Sequence, residues 1–296
     1  MLHEQTNNFD VNLDDLIIRI WQNKISITFF VLLASLIGIL ISLLLPNYYK
    51  SQISLIPSDN KATSSSIIGQ YGMLAGLAGL SMPSQPSDKT IEALERVKSF
   101  DFFQNLFLPN ISYKNLVAVD SWESEKNIIH YKKNLYDTKK NIWVKNVKVP
   151  TNQEAYEIYK KMLSVSTDAK SSVTLISIEH KSPHVAKYWV ETIVKLLNDS
   201  MRNEMHQRTL KSINFLNEQI SKTSVNEIRE TITSLQQEQM KSLMLIEVNK
   251  DYIFRIIDSA IVPEKKSRPN RSVIIVLSAF IGFFTSILIV FLRQRL

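Results

Sequence analysis

The chain has 296 residues, no cysteine, 45% hydrophobic residues and a formal net charge of +7. Without cysteine, disulfides and thiolate chemistry are excluded, so the fold must hold by packing alone. The basic excess forms no stripe with interleaved aromatics, which argues against a nucleic-acid groove.

The apolar residues concentrate near the two ends. Ile25–Leu45 and Ser272–Leu292 are each 21 residues without a charge. About 20 apolar residues at 1.5 Å rise cross a hydrocarbon core of about 30 Å, so both are predicted transmembrane helices. Buried core helices rarely run this long without a charge. Pro46-Asn47-Tyr48-Tyr49 offers no small-residue cleavage site, which argues against a signal peptide. The chain then divides into a tail (1–24), a first span (25–45), a large domain (46–271), a second span (272–292) and an end (293–296). Arg19 and Lys24 precede the first span, whereas Lys265, Lys266, Arg268 and Arg271 crowd the domain side of the second. The first span usually dominates, and long domains translocate largely regardless of charge, so the domain is expected outside the cytoplasm with both termini inside. Much of the basic excess thus stands beside the bilayer, where each cation near anionic lipid gains about 1 kcal/mol.

Within the domain, KSQISLIP (50–57) alternates apolar and polar residues and predicts a half-buried strand. GQYGMLAGLAGLSM (69–82) follows, holding four of the chain's six glycines. Residues 91–107 predict one helix or two short ones. A helix is expected near 122–136 and a strand ending at Val149. Thr151 and Glu154 have the spacing of a capping box that opens a helix reaching about Ser164. VTLISIEH (173–180) predicts a second strand. Ser182-Pro183 then opens a helix without glycine or proline to about Ser221, roughly 55 Å long. After the turn SKTS (221–224), Val225, Ile228, Ile232 and Leu235 recur at coiled-coil spacing, so a second helix is expected to fold back on the first along that seam. DYIFRIIDSAIV (251–262) predicts a returning strand. The expected fold is an α/β membrane-adjacent base with a long helical hairpin over about 183–247, flanked by two transmembrane helices. In the spans, Ala34, Gly38 and Ser42, and Ser278, Gly282 and Ser286, each lie four apart. Such small-residue stripes let helix backbones approach closely, within one protomer or across a ring.

Catalytic constellations are sparse. No Gly-Lys pair exists, so a phosphate loop is excluded, and there is no G-x-G-x-x-G, H-E-x-x-H or G-x-S-x-G. His180 and His184 straddle a strand end and a Ser-Pro break, which favours ordinary surface histidines over a metal pair. Glu123 and Glu125, two apart on the predicted helix, do not face each other. Trp122, Trp143 and Trp189 could stack on sugars, but packing is the preferred use. The residues predict no enzyme and no cofactor or metal.

Four stretches carry a family resemblance. DLIIRIWQNK (15–24), PNYYKSQISLIPSD (46–59), SPHVAKYWVETIVKLLND (182–199) and AIVPEKKSRPNRSVIIVLSAFIGFF (260–284) occur in the order seen in polysaccharide co-polymerases, the chain-length determinant proteins. Ala260, Pro263, Pro269 and Gly282 match that family's approach to its second span, with Gly38 as the packing glycine of the first. Residues 264–268 are basic where the family often has further prolines. The resemblance implies a two-pass bacterial inner-membrane protein with a periplasmic domain. It further implies a ring-like homo-oligomer that sets chain length with a polysaccharide polymerase acting on lipid-linked polysaccharide. The short C-terminal end points to the O-antigen or lipopolysaccharide-type branch, without a tyrosine-kinase domain. An inner-membrane adaptor of capsular polysaccharide export is the alternative. The glycine-rich stretch is too short to span. It reads either as an unstructured connection or as a packing surface, with Gly72, Gly76 and Gly79 at subunit contacts or the inner wall.

Overall fold

The computed structural model describes residues 21–58, 88–168 and 170–293. The chain divides into two compact units, one formed by Met1–Asn47 with Ser267–Leu296, the other by Tyr48–Lys266.

The first unit is a pair of helices, α1 (Lys24–Leu44) and α7 (Arg271–Arg293), each long and apolar enough to cross a membrane. Leu32, Leu36, Leu40, Phe280 and Phe284 on their outer faces are largely exposed, as expected of side chains that meet lipid rather than protein.

The second unit is built on a four-stranded antiparallel sheet in the order β6-β7-β1-β8. Its strands are β1 (Tyr49–Pro57), β6 (Leu163–Thr167), β7 (Thr174–His180) and β8 (Phe254–Asp258). Alternation places Ser51, Ile53 and Leu55 of β1 inward beside Ile176 and Ile178 of β7, all at most 1% exposed. This face packs beneath the first half of α5 (Pro183–Lys222), whose Trp189, Val190, Ile193 and Leu197 are buried. Each such side chain contributes about 1.5–3 kcal/mol of burial. Around them lie α2 (Asp88–Lys98), a π-helical turn at Phe102–Phe107 and α4 (Asn152–Met162). Phe103, Phe107 and Tyr159 stack there, and the Tyr159 hydroxyl donates to Val97 O at 2.8 Å. The capping box opens α4 as expected: Thr151 Oγ1 accepts Glu154 N–H, and Thr151 N–H donates to the Glu154 carboxylate at 2.8 Å.

The expectations for 122–136 and Val149 were wrong. After the short α3 (Tyr113–Val117), the chain forms two hairpins, β2–β3 (Val119–Glu123, Ile128–Tyr131) and β4–β5 (Tyr136–Asp137, Ile142–Trp143). Residues 144–150 form no strand. Asn127 and Asn141 adopt left-handed backbone (φ 52° and 57°) in the connections that reverse the chain, a conformation asparagine tolerates better than most residues. The helix opened at Thr151 ends at Met162, two residues short of the expected end near Ser164, and passes directly into β6, because Leu163 leaves helical geometry at φ −81°, ψ 132°. Glu123 therefore sits on a strand, where Lys126 and His130 hold it at 3.1 Å and keep its carboxyl below the ordinary range.

The 40-residue α5 turns at Thr223 and pairs with α6 (Asn226–Val248). The fold-back is as expected, and Ile232 of the expected seam lies on the covered line, but the other three seam residues do not. Val225, Ile228 and Leu235 remain about half exposed (50, 51 and 48%). The more covered line of α6 is Ile232, Gln236, Gln239, Leu243 and Ile246. Gln236 Nε2 donates to Asn217 Oδ1 across the hairpin at 2.6 Å. Two glutamines in that line hide it from a reading based on apolar spacing.

His180 is fully buried, against the expectation of a surface histidine. Its Nδ1 accepts Ser182 N–H at 2.9 Å, so the proton sits on Nε2, which donates to Asn115 O at 2.9 Å. Burial lowers its pKa, outweighing the Asn115 bond that raises it. The folded state thus keeps a neutral ring where the unfolded chain would take up a proton below about pH 6.5. Stability is full above that pH and declines as pH falls from there towards the folded pKa, by up to about 1.4 kcal/mol per unit. Thermal unfolding at pH 7.5 and 5.5 should show a larger drop in Tm for the natural chain than for His180→Gln, and equal drops would contradict this.

Candidate functional site

Two places hold residues singled out in the sequence, Ala260 in one and Gly38 with Gly282 in the other. The first is a groove of ≈ 410 Å³ along the base of α5. Glu191, Lys195, Asp199 and Arg202 line one side, at helical spacings that put them on one face. Lys250, Asp251, Ser259 and Ala260 line the segments flanking β8. Arg202 pairs with Asp199 at 3.5 Å on the surface, where such a bond contributes about 0–1 kcal/mol.

Asn198, 6% exposed, stands behind these residues. Its Nδ2 donates to Phe254 O at 2.9 Å, while its Oδ1 accepts Ile253 N–H at 3.2 Å and Phe254 N–H at 3.0 Å. The amide thus acts like a neighbouring strand for the first residues of β8 and ties that edge to α5. Sequence reasoning missed it, although an asparagine between Leu197 and Met201, inside an apolar helix face, was the available signal. Beyond β8, Ser51 Oγ donates to Ile261 O at 2.8 Å and holds the outgoing chain against β1. Ala260, 4% exposed, is thereby packed into the core, and Pro263 follows, half-buried. The groove offers three acids and three bases in balance. Among the described residues no group of three or more His, Asp or Glu could hold a metal ion.

The second place is the interface of α1 and α7, where the two small-residue stripes meet within one protomer. A Cβ added to Gly38 would lie 2.7 Å from Ser278 Cβ, and one added to Gly282 would lie 2.5 Å from Ala34 Cβ and 3.1 Å from Phe30 O. Ser42 and Ser286 are 2% and 1% exposed there. Ser286 Oγ donates to Phe283 O at 2.7 Å within its own helix, so contact between backbones rather than polar pairing dominates the interface. Gly38 and Gly282 therefore share one interface. Pro269 stands two residues before α7, whereas Ala260 and Pro263 belong to the other unit. Gly72, Gly76 and Gly79 lie outside the described residues.

Trp189 is core, T-shaped against Phe107 at 5.7 Å. Trp143 packs edge-on to Tyr136 at 5.3 Å, and Trp122 to Tyr49 at 5.3 Å.

Asn198→Ala should leave three backbone groups, two on Phe254 of β8 and one on Ile253 just before it, without this partner and destabilise the protein by about 2 kcal/mol or more. That corresponds to a fall in Tm of roughly 4–8 °C in thermal unfolding of the detergent-solubilised chain; a shift of less than about 1 °C would show that the bonds are dispensable. Gly282→Leu should force the helices apart at a strain of about 1–3 kcal/mol and lower the Tm of the detergent-solubilised chain, and an unchanged Tm would contradict the close approach at this position.

Residues 10–97 match the family model described as "Chain length determinant protein". Residues 222–295 match the one described as "G-rich domain on putative tyrosine kinase". Together these stretches take in more than half of the chain. Comparison with the curated proteins finds no match. Among solved structures, the chain is similar to a "full-length bacterial polysaccharide co-polymerase", at 13% identity over 96% of this chain and 98% of that one, with a TM-score of 0.38. It is also similar to a fragment of WzzB, a polysaccharide co-polymerase from Salmonella Typhimurium, at 11% identity over 75% of this chain and all of that one, with a TM-score of 0.32. The first apolar helix, β1 and all but the last residue of α2 lie inside one matched stretch, and α6, β8 and the second apolar helix inside the other, so the family this chain matches, over residues 10–97, is that of the chain length determinant proteins.

Proposed function

We propose that the protein is a non-enzymatic regulator of polysaccharide chain length, of the O-antigen or lipopolysaccharide type, acting as a homo-oligomeric scaffold beside a polysaccharide polymerase. The observation that carries this reading is the match of residues 10–97 to the chain length determinant model. In this reading α1 and α7 cross the bacterial inner membrane, both termini are cytoplasmic, and Tyr48–Lys266 is periplasmic with the lipid-linked polysaccharide as its cargo.

Self-assembly has support of its own in the hairpin. Phe215 on α5 and Ile228 and Leu235 on one face of α6 are 60, 51 and 48% exposed, and Phe215 and Leu235 line one groove of the hairpin. Apolar side chains gathered on one element mark an interaction surface more often than chance. Once copies assemble, a ring would bias when a polymerase releases its chain through geometry rather than bond chemistry.

The test is to delete the gene, complement it, and resolve the surface polysaccharide on a gel. Loss of modal length that the natural gene restores supports the proposal. Absence of surface polymer with accumulation inside the cell would favour the capsular export adaptor instead, and an unchanged polymer would sink both readings. Complementation with Phe215→Ser/Ile228→Ser/Leu235→Ser should give a smaller oligomer in detergent and a broadened length distribution, while the monomer keeps its circular dichroism.

A further inference from the structure

We propose that the lobe between Tyr131 and Val149 binds the anionic groups of a glycan, carboxylates or phosphates spaced along the polysaccharide whose length the protein regulates. The proposal rests on that reading of the function and adds to it the chemistry of the cargo and the residues that hold it.

Charge is the first observation. Residues 131–149 carry Lys132, Lys133, Lys139, Lys140, Lys145 and Lys148 against a single acid, Asp137. Lys148 is matched by Glu154 at 3.5 Å; the other five lysines are exposed and enter no ion pair among the described residues. Lys114 on α3 joins them. Its ammonium stands 5.4 and 5.0 Å from the Tyr131 and Tyr136 ring centroids and donates to Asn141 Oδ1 at 2.9 Å. Acids on the neighbouring elements do not cancel this excess. Glu157 pairs with Lys160, and Glu123 with Lys126 and His130. Asp120 is offset by Lys181, which also feels Lys132, and Glu179 stands opposite Lys50 in the β1–β7 ladder. Six lysines less Asp137 and Glu125 leave four positive charges.

The lobe holds these cations in an ordered frame. Tyr136 and Asp137 pair with Trp143 and Ile142, and Val144 N–H donates to Leu135 O at 3.1 Å at the base of this hairpin. In its turn, Asp137 Oδ1 accepts the Lys139 and Lys140 N–H groups at 3.0 and 3.2 Å. Lys133 and Lys145 therefore flank the hairpin's base and Lys139 and Lys140 its tip, no more than about 13 Å away at about 3.3 Å per residue. The Debye length is about 10 Å at 0.1 M salt, so the four act nearly as one field. Crowding like charges destabilises a compact chain, and a bound polyanion relieves it.

Composition selects among polyanions. No arginine occurs between residues 97 and 201, so the planar fork that grips phosphate bidentately is missing. The cations are instead point charges on flexible stems, suited to groups spaced along a chain. The rings of the lobe are engaged with one another: Trp143 meets Tyr136 edge-on at 5.3 Å and Tyr113 at 6.1 Å. They offer no open platform for the bases of a single-stranded nucleic acid. Ile142 is the one exposed apolar side chain in 131–149, too little to enter a bilayer.

Lysine acetylation read by mass spectrometry locates the contact. The full chain in phosphatidylcholine nanodiscs is acetylated alone and with oligogalacturonate, with phosphorylated dextran or with neutral dextran. Lys133, Lys139, Lys140 and Lys145 should be protected at least about twofold by an anionic glycan and not by the neutral one. Protection by one anionic glycan alone separates carboxylate from phosphate recognition. Lys211 and Lys241, exposed on the helical hairpin, should react as before. Replacing the four lysines together by Gln should weaken binding of the protecting glycan about tenfold without altering circular dichroism. Equal binding by that variant overturns the proposal, as does protection by neutral dextran or by neither anionic glycan. Protection gained from phosphatidylglycerol in the disc, and from neither glycan, assigns the lobe to lipid and also overturns it. A natural gene that restores modal length while its product fails this binding test overturns the proposal alone. A deletion that leaves the polymer unchanged overturns the functional reading instead, and with it the glycan's place as cargo.

Discussion

The burial of one face of α5 against the sheet is the constraint on which the rest of the domain depends. Trp189, Ile193 and Leu197 fill the space beneath Ile53, Ile176 and Ile178, and no disulfide is available to do that work instead. Each strand then takes its place by reference to the helix. β7 runs into α5 through the buried His180–Ser182 turn, β1 lies between β7 and β8, and β8 is tied back by the Asn198 amide. Such a core has little tolerance for voids, because a large-to-small change within it costs about 2–5 kcal/mol.

Much of this was legible in the sequence because single, local causes determine it. A charge-free run of 21 residues, an alternating strand, a Thr-x-x-Glu box and a Ser-Pro start each act within a few residues of themselves. The failures share an opposite character. The hairpins between Val119 and Trp143 are set by asparagines in left-handed backbone and by apolar partners far along the chain, such as Tyr49 for Trp122. β6 exists because β7 offers it an edge, and its own residues, LSVST, carry little signal. The covered line of α6 runs through Gln236 and Gln239, so apolar spacing pointed to the neighbouring stripe instead.

The candidate site divides in the same way. The close approach of Gly38 and Gly282 follows from small residues at a period of four, which the sequence shows plainly. Its occurrence within one protomer removes those two surfaces from the set available to other copies or partners. The Asn198 clamp and the mixed-charge groove, by contrast, are created by the meeting of α5 with segments more than 50 residues away. No local pattern encodes such a meeting.

The helical hairpin has a consequence for how such a domain can vary. The covered line of α6 advances by four and three residues alternately, so the two arms repeat every seven residues, or about 10 Å of length. Adding or removing one repeat on both arms beyond Met205 would preserve the register of the pair and leave every buried contact of the sheet untouched. The height of the hairpin is therefore an adjustable dimension of the fold, uncoupled from the foundation that stabilises it.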